Sequence, residues 1–209
     1  MTVRIYLVRH GESSANACWA ARERVDGGSN GAAERPHECQ SLPETPLTEH
    51  GERQAALTAP HLRALVRAEG ACRVAVLASP FRRAQQTMAP FGHALGPRFE
   101  SATWPLLREY ERSDTLEAFG ERVRASAAAL RSLAATLDGA RTAVVVFAHS
   151  HLFSLLVPYL ASQERTLPPV AALAIPNCSI TTLEFSVNTR ERPWRVREIG
   201  STRHLDKMK

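Results

Sequence analysis

The chain lacks any apolar run approaching the length of a membrane span, so a helical membrane protein is excluded at the outset. Its start carries no charged segment leading into an apolar stretch, and no secretory leader is expected. The four cysteines, Cys18, Cys39, Cys72 and Cys178, form no C-x-x-C pair and no zinc spacing. That pattern points to reduced thiols and a cytoplasmic location. Internal repeats are absent. So are RNP, zinc-finger and basic-helix patterns, although the net charge is +5 and arginine greatly outnumbers lysine. The basic residues are scattered rather than blocked, which argues against nucleic acid or a membrane as partner. A phosphorylated ligand remains the partner that this charge fits.

What is present is one well-filled core's worth of chain: 209 residues, 44% hydrophobic, expected to fold as a single domain over 1–209. Residues 3–8 read as a buried strand, followed by a helix from about Ser13 to Arg24. Residues 25–46 are loop-rich, with Gly27, Gly28, Gly31, Pro36, Pro43 and Pro46. This insertion is long enough to be a lid or plain disorder, disorder being the favoured reading. Thr48 caps a helix to about Ala68 that Pro60 should kink. A strand over 74–78 ends at Ser79-Pro80, and a helix runs from Phe81 to about Leu95 with Pro80 in its first turn. Ser113 or Asp114 caps a helix to about Leu137, which Gly139 stops. Thr142–Phe147 is a continuous β-branched run suited to the centre of a sheet, and an apolar helix follows it. Residues 178–187 and 193–200 pair as an antiparallel hairpin.

Two strands therefore end in histidine at the start of a helix, at His10 and His149. Ligands sit at the carboxyl ends of strands in open α/β sheets. Arg9 adjoins the first histidine. Arg82 and Arg83 open a helix, the wrong end for a cation unless an anion binds there. Glu109 follows a nearby extended segment.

In order along the chain, several pieces resemble the histidine phosphatase superfamily, the phosphoglycerate-mutase-like fold. They are Arg9-His10-Gly11-Glu12-Ser13 with Asn16; Pro46-Leu47-Thr48 with Gly51, Gln54 and Ala55; Ser79-Pro80 with Arg83, Ala84, Gln86 and Thr87; Leu107-Arg108-Glu109; the strand into His149; and Asn177-Cys178-Ser179-Ile180-Thr181. The resemblance spans nearly the whole chain. It implies a three-layer α/β/α sandwich with a mostly parallel central sheet. It implies a branch 1 phosphatase acting on a phosphorylated small molecule or a phosphoprotein, protein phosphohistidine included. His10 would be the nucleophile, and Glu109 would be the proton donor. Arg9, Asn16, Arg83, His149 and Ser150 would bind the phosphoryl group, and no metal or other cofactor is implied. The chemistry fits: a phosphomonoester suits two guanidinium forks, and neighbouring arginines disfavour the imidazolium form of His10. A bound phosphate should raise the Glu109 pKa, giving a weakly acid to neutral optimum.

The chain also departs from that family. Ser150 and His151 follow the second histidine where glycine is usual. His151 either contacts substrate or simply sits in the first helical turn, and His-Ser-His imitates a metal pair without a third ligand. Glu111 reads as solvated and Glu12 as a first-turn carboxylate. His37, His50, His61, His93 and His204 read as surface or core residues. After Glu109 the long segment of phosphoglycerate mutases is missing, which favours a phosphatase over a mutase. A phospho-ligand-binding protein without turnover is the third reading. Residues 17–45, with Arg22, Arg24 and Arg35, are expected to supply a substrate wall.

Overall fold

A computed structural model describes residues 2–25, 39, 41–71, 73–97, 99–137, 142–162, 167, 173–189 and 192–208. Most of the expected insertion, residues 26–38 and 40, lies outside this set. With it go Arg35, His37 and both readings of a lid or disorder. Cys72 and Gly139 lie outside it too.

Strand β1 (Thr2–Arg9) is the apolar opening run. Helices α1 (Ser14–Val25) and α2 (Glu49–Ala68) precede β2 (Arg73–Ala78). Helix α3 (Arg82–Leu95) leads to the short β3 (Ser101–Thr103) and a 3₁₀ turn at Pro105–Leu107. Then come α4 (Leu116–Thr136), β4 (Thr142–Ala148), α5 (Ser150–Ala161), β5 (Ile180–Ser186) and β6 (Trp194–Ser201). A last 3₁₀ stretch covers Arg203–Met208.

The strands form one sheet in the order β3-β2-β4-β1-β5-β6. The first four run parallel, while β5 is antiparallel to β1 and to β6. Strand β4 is buried along its whole length, as its β-branched run demands. Alternation along the strands divides the core in two. Val3, Ile5, Leu7, Val144 and Val146 pack with Phe119, Val123 and Leu130 of α4 and Leu152 and Leu156 of α5. Tyr6, Val8, Val145 and Phe147 pack with Leu62 and Val66 of α2 and Met88 and Phe91 of α3. This is the expected three-layer sandwich.

Local expectations failed in informative ways. Helix α4 is capped by Thr115, whose hydroxyl accepts the Ala118 N–H at 3.1 Å. Asp114 is instead drawn into an ion pair with Arg122. Pro80 lies ahead of α3, before its cap Phe81. Helix α2 continues through Pro60 to Ala68. The cysteine reading is corrected: Cys18 and Cys39 form a disulfide, while Cys178 is a buried free thiol. Linear spacing hid the pair, because Cys39 bonds to a cysteine of α1 that lies 21 residues earlier. The spacing therefore no longer argues for a reducing compartment. No described helix is long and apolar enough to cross a membrane.

Candidate active site

The site grows out of the adjacent parallel strands β1 and β4, whose register sets Arg9 beside Ala148. The chain leaves β4 into α5 on one face of the sheet, and the chain after β1 reaches α2 on the other. The crevice between the two carboxyl ends is a topological switch point. His10 opens there from β1, its N–H bonded to the Ala148 carbonyl at 3.0 Å. His149 caps α5 at the end of β4.

The turn after His10 is built by very close backbone approach. A Cβ on Gly51 would stand 2.0 Å from the Glu12 carbonyl oxygen, and one on Gly11 would stand 2.5 Å from the Gly51 carbonyl oxygen. Side chains then satisfy the backbone. Thr87 Oγ1 accepts the Gly11 N–H at 3.0 Å, Gln54 Oε1 accepts that of Glu12 at 2.8 Å, and Gln86 Oε1 accepts that of Leu47 at 2.9 Å. Glu12 is not a first-turn carboxylate of α1. It accepts the hydroxyl of Thr48, the α2 cap, at 2.7 Å.

The hydrogen bonds of His10 define its tautomer. Nδ1 lies 2.7 Å from the Gly11 carbonyl oxygen, which can only accept, so Nδ1 carries the proton. Arg83 Nε lies 3.2 Å from Nε2 and can only donate, so Nε2 keeps its lone pair. The ring is 3% exposed. Burial, then Arg83, then Arg9, holds its pKa well below the ordinary histidine value.

Arg83 is fully buried in the first turn of α3. Its Nη1 donates to the Leu42 carbonyl at 2.9 Å, and its guanidinium lies over the Phe81 ring. Burial pulls its pKa down to about 10, against an opposing pull from Glu109. Among the described residues its buried Nη2 has no hydrogen-bond partner. His149 repeats this pattern. Its Nε2 lies 2.8 Å from Ser79 Oγ, which itself accepts the Phe81 N–H at 3.3 Å. The serine proton has His149 as its acceptor among the described residues, so the imidazole proton falls on Nδ1, which is buried and unpartnered. Burial, then Arg83, keeps this ring neutral as well. The His10 and His149 ring centroids are 5.2 Å apart. Among the described residues two desolvated donors without a partner thus flank a ring lone pair that meets the Arg83 Nε–H, a combination that fits the oxygens of an anion.

Arg9 donates from Nη1 to the Ile175 carbonyl at 2.7 Å. Asn16 Oδ1 accepts from Ser13 and, at 3.1 Å, from Asn177 Nδ2. Asn177 also donates to the His10 carbonyl at 3.0 Å, so it locks the Asn16 amide to the His10 backbone. Ser150 is the first residue of α5, its N–H at that helix's N-terminus.

Glu109 follows the 3₁₀ turn and is buried against the same N-terminus. Its Oε1 accepts the N–H groups of Tyr110 at 3.0 Å and Leu152 at 3.2 Å. Its Oε2 accepts the His151 N–H at 3.2 Å, with His151 Nδ1 at 3.3 Å. Burial pushes this carboxyl's pKa upward, but the His151 side chain and the backbone donors outweigh it and leave the pKa below the usual carboxylate value. Glu111 turns away to Arg108, 3.8 Å distant.

The structure brings all seven expected residues, Arg9, His10, Asn16, Arg83, Glu109, His149 and Ser150, to this one crevice. Sequence reasoning missed Ser79 and Asn177 as partners, although both stood in quoted motifs, and it left His151 open. Arg22 and Arg24 lie in the last turn of α1. The other described histidines are not all solitary. His61 and His204 stack at 4.8 Å, and His204 Nε2 lies 3.0 Å from Thr58 Oγ1. His149 and His151 face different partners, and no cluster of three metal-ligating side chains occurs among the described residues.

The family model described as histidine phosphatase superfamily (branch 1) matches residues 5–116. No curated protein matches the sequence. Several solved structures share the fold. A mycobacterial glucosyl-3-phosphoglycerate phosphatase aligns at 19% identity and TM-score 0.64, over 97% of this chain and 100% of its own. A phosphoglycerate mutase from Bacillus anthracis aligns at 16% identity and TM-score 0.66, over 99% and 96%. The protein histidine phosphatase SixA, complexed with tungstate, aligns at 21% identity and TM-score 0.56, over 94% and 95%.

Proposed function

Since the chain belongs to the histidine phosphatase superfamily, branch 1, we propose that it hydrolyses phosphomonoesters through a phosphohistidine on His10. Strands from both ends of the chain share one sheet, which supports reading 1–209 as a single domain. The observation that carries the proposal is the fixed tautomer of His10, with Nε2 unprotonated and held by Arg83 Nε. A nucleophile kept neutral inside a cationic cluster needs no general base.

Substrate phosphate takes the place of that internal hydrogen bond. Arg9, Arg83, the Asn16 amide, His149 Nδ1 and the Ser150 N–H hold its oxygens. His10 Nε2 bonds to phosphorus as the ester P–O bond breaks, and protonated Glu109 gives its proton to the leaving oxygen. In the second half, Glu109 takes a proton from water whose oxygen bonds to phosphorus, and the P–N bond breaks. His10 is restored, and Glu109 is left holding the water's proton. Neither half-reaction calls on a metal.

Hydrolysis is favoured over phosphoryl transfer to a second hydroxyl by the short path after Glu109. Residues 110–115 form a tight turn there, in which Asp114 Oδ2 accepts the Glu111 N–H at 2.9 Å and pairs with Arg122. Nothing in that turn supplies the enclosing segment that a mutase needs to keep water from its intermediate.

The test is turnover of p-nitrophenyl phosphate in EDTA. Wild type should turn over, with acid-labile phosphate on the protein. His10→Ala should lose about 10⁴-fold or more in kcat, together with that phosphate. No turnover on any phosphoester would leave a phospho-ligand-binding protein, and loss of turnover in EDTA would replace the nucleophile with a metal.

A further inference from the structure

Among the described residues the Glu109 carboxylate has four hydrogen-bonding contacts, and one of them differs in kind from the others. Three are backbone N–H groups, of Tyr110, His151 and Leu152, which hold the carboxylate but exchange no proton with it. The fourth is the His151 imidazole, with Nδ1 3.3 Å from Oε2. The two side chains also differ in access to water: that of Glu109 is 9% exposed and that of His151 is 43% exposed. The carboxyl that must be protonated at the start of each cycle is thus walled from solvent, and the imidazole touching it is not.

We propose that His151 is the proton relay of Glu109. The proposal rests on the phosphatase reading above. In the first half-reaction the His151 Nδ1–H bond breaks and the proton passes to Glu109 Oε2. Glu109 Oε2 in turn delivers a proton to the leaving oxygen, whose bond to phosphorus is breaking. The His151 ring then recovers its proton from water on its exposed side, and the proton that Glu109 takes from the attacking water in the second half-reaction leaves to solvent through the same ring, so the pair ends each cycle as it began. Imidazole is the side chain that exchanges protons near neutral pH. The contact is no accident of the loop, because the α5 N-terminus fixes both partners: one residue gives its backbone N–H and its ring nitrogen to the same oxygen. The other charged and titratable groups recorded against this pair are His149 at the end of β4, Arg83 of α3 facing Glu109, and Arg122 of α4. Arg122 Nη2 donates to the Glu109 carbonyl at 3.2 Å and is itself paired with Asp114, so it is committed elsewhere. His149 is kept neutral by burial and by Arg83. Neither is placed to hand a proton to Oε2.

The test compares His151→Gln and His151→Asn with wild type on two substrates from pH 5 to pH 8. An alkyl phosphate such as glycerol phosphate has a poor leaving group that needs its proton. p-Nitrophenyl phosphate has a good one that needs it far less. The kcat for the alkyl ester should fall about 10–100-fold, with KM little changed. The loss on the nitrophenyl ester should be several-fold smaller, and the alkyl pH profile should change shape. Equal losses on both esters would mean that His151 merely props Glu109, and no loss on either would remove it from the reaction. Both results overturn the relay. Melting temperatures near that of wild type separate these outcomes from misfolding. Acid-labile phosphate on wild-type His10 is scored separately. If it is present while the leaving-group ratio is unchanged, the relay alone fails. If it is absent, the phosphatase reading falls and takes the relay with it.

Discussion

The two halves of the crevice treat their titratable groups in opposite ways. On the β1 side, burial and two arginines strip the proton from His10 and leave a neutral nucleophile. On the α5 side, a helix N-terminus and His151 strip the proton from Glu109 and leave an anion. Both groups rest deprotonated. For a nucleophile this is the working form, whereas for a general acid it is not. One half is ready before substrate arrives, and the other must be loaded. The phosphate itself is suited to that loading, since its negative charge raises the pKa of a carboxyl beside it.

The strongest way to break the comparison is to leave each half in place without its proton chemistry. Glu109→Gln keeps the hydrogen-bonding shape and cannot donate as an acid. It should lower kcat about 10²–10⁴-fold. On p-nitrophenyl phosphate it should leave phosphorylated His10 to accumulate, because the second half-reaction loses its base while the first scarcely needs its acid. Rapid-quench measurement of acid-labile phosphate checks this; an undiminished kcat would remove Glu109 from the role. On the other side, Arg83→Lys keeps the charge and loses the planar fork that reaches His10 Nε2 and the Leu42 carbonyl. It should cost about 10²–10³-fold in kcat/KM. It should not produce the phosphoenzyme accumulation of Glu109→Gln, since it weakens formation of the intermediate.

A structural tie distinguishes the halves as well. Cys18–Cys39 ends just before the segment whose Leu42 carbonyl holds Arg83 and whose Pro43 carbonyl accepts the Arg82 N–H at 2.9 Å. Among the described residues no second disulfide pins the Glu109 side. Replacing both cysteines with alanine should lower unfolding free energy by about 2–4 kcal/mol, for a pair 21 residues apart. Denaturant titration without reductant measures it, and a change within experimental scatter would mean that the tie does not constrain the unfolded chain.

The β1 half was legible in the sequence and much of the α5 half was not. Arg9, His10 and Arg83 sit at a strand end and a helix start, where local pattern reveals them, whereas Asn16 came only with the family resemblance. The arginine at the wrong end of α3 was itself a signal that an anion belongs there. His149 could be found in the same way, from the strand that it ends. The partnerships of the α5 half depend on tertiary placement. Glu109 is 42 residues from His151, and only the packing of the 3₁₀ turn against α5 joins them. Ser79 pairs with His149 across 70 residues. The Thr115 cap was lost to Ser113 and Asp114 because Arg122, two turns on, claims the aspartate. The disulfide was hidden for the same reason: thiol distance in space does not follow from spacing along the chain.

The smallest effect, and the sharpest separation of the two halves, lies in how stability responds to acid. His10 and His149 have folded pKa values depressed below the ordinary histidine value of 6.5. The unfolded chain therefore binds protons that the folded protein refuses. The stabilisation is complete above about pH 6.5 and is lost progressively as pH falls below it, on the order of 1 kcal/mol per pH unit for each ring. Glu109 is depressed below a carboxylate value of 4.5, so its share is lost only below about that pH. Denaturant midpoints at pH 7, 6 and 5 should therefore fall steadily, with the histidines titrating before Glu109. His149→Gln starts from a less stable protein, but its slope between pH 6.5 and pH 5 should be roughly two-thirds that of wild type, because one of three rings held below the ordinary value is gone, His204, pushed down to about 4, being the third. Glu109→Gln should leave that slope unaltered and flatten the curve only below about pH 4.5. If the histidine variant kept the wild-type slope, burial would not be what holds these rings neutral. The contrast between a nucleophile that is ready and an acid that must be loaded would then lose its physical cause.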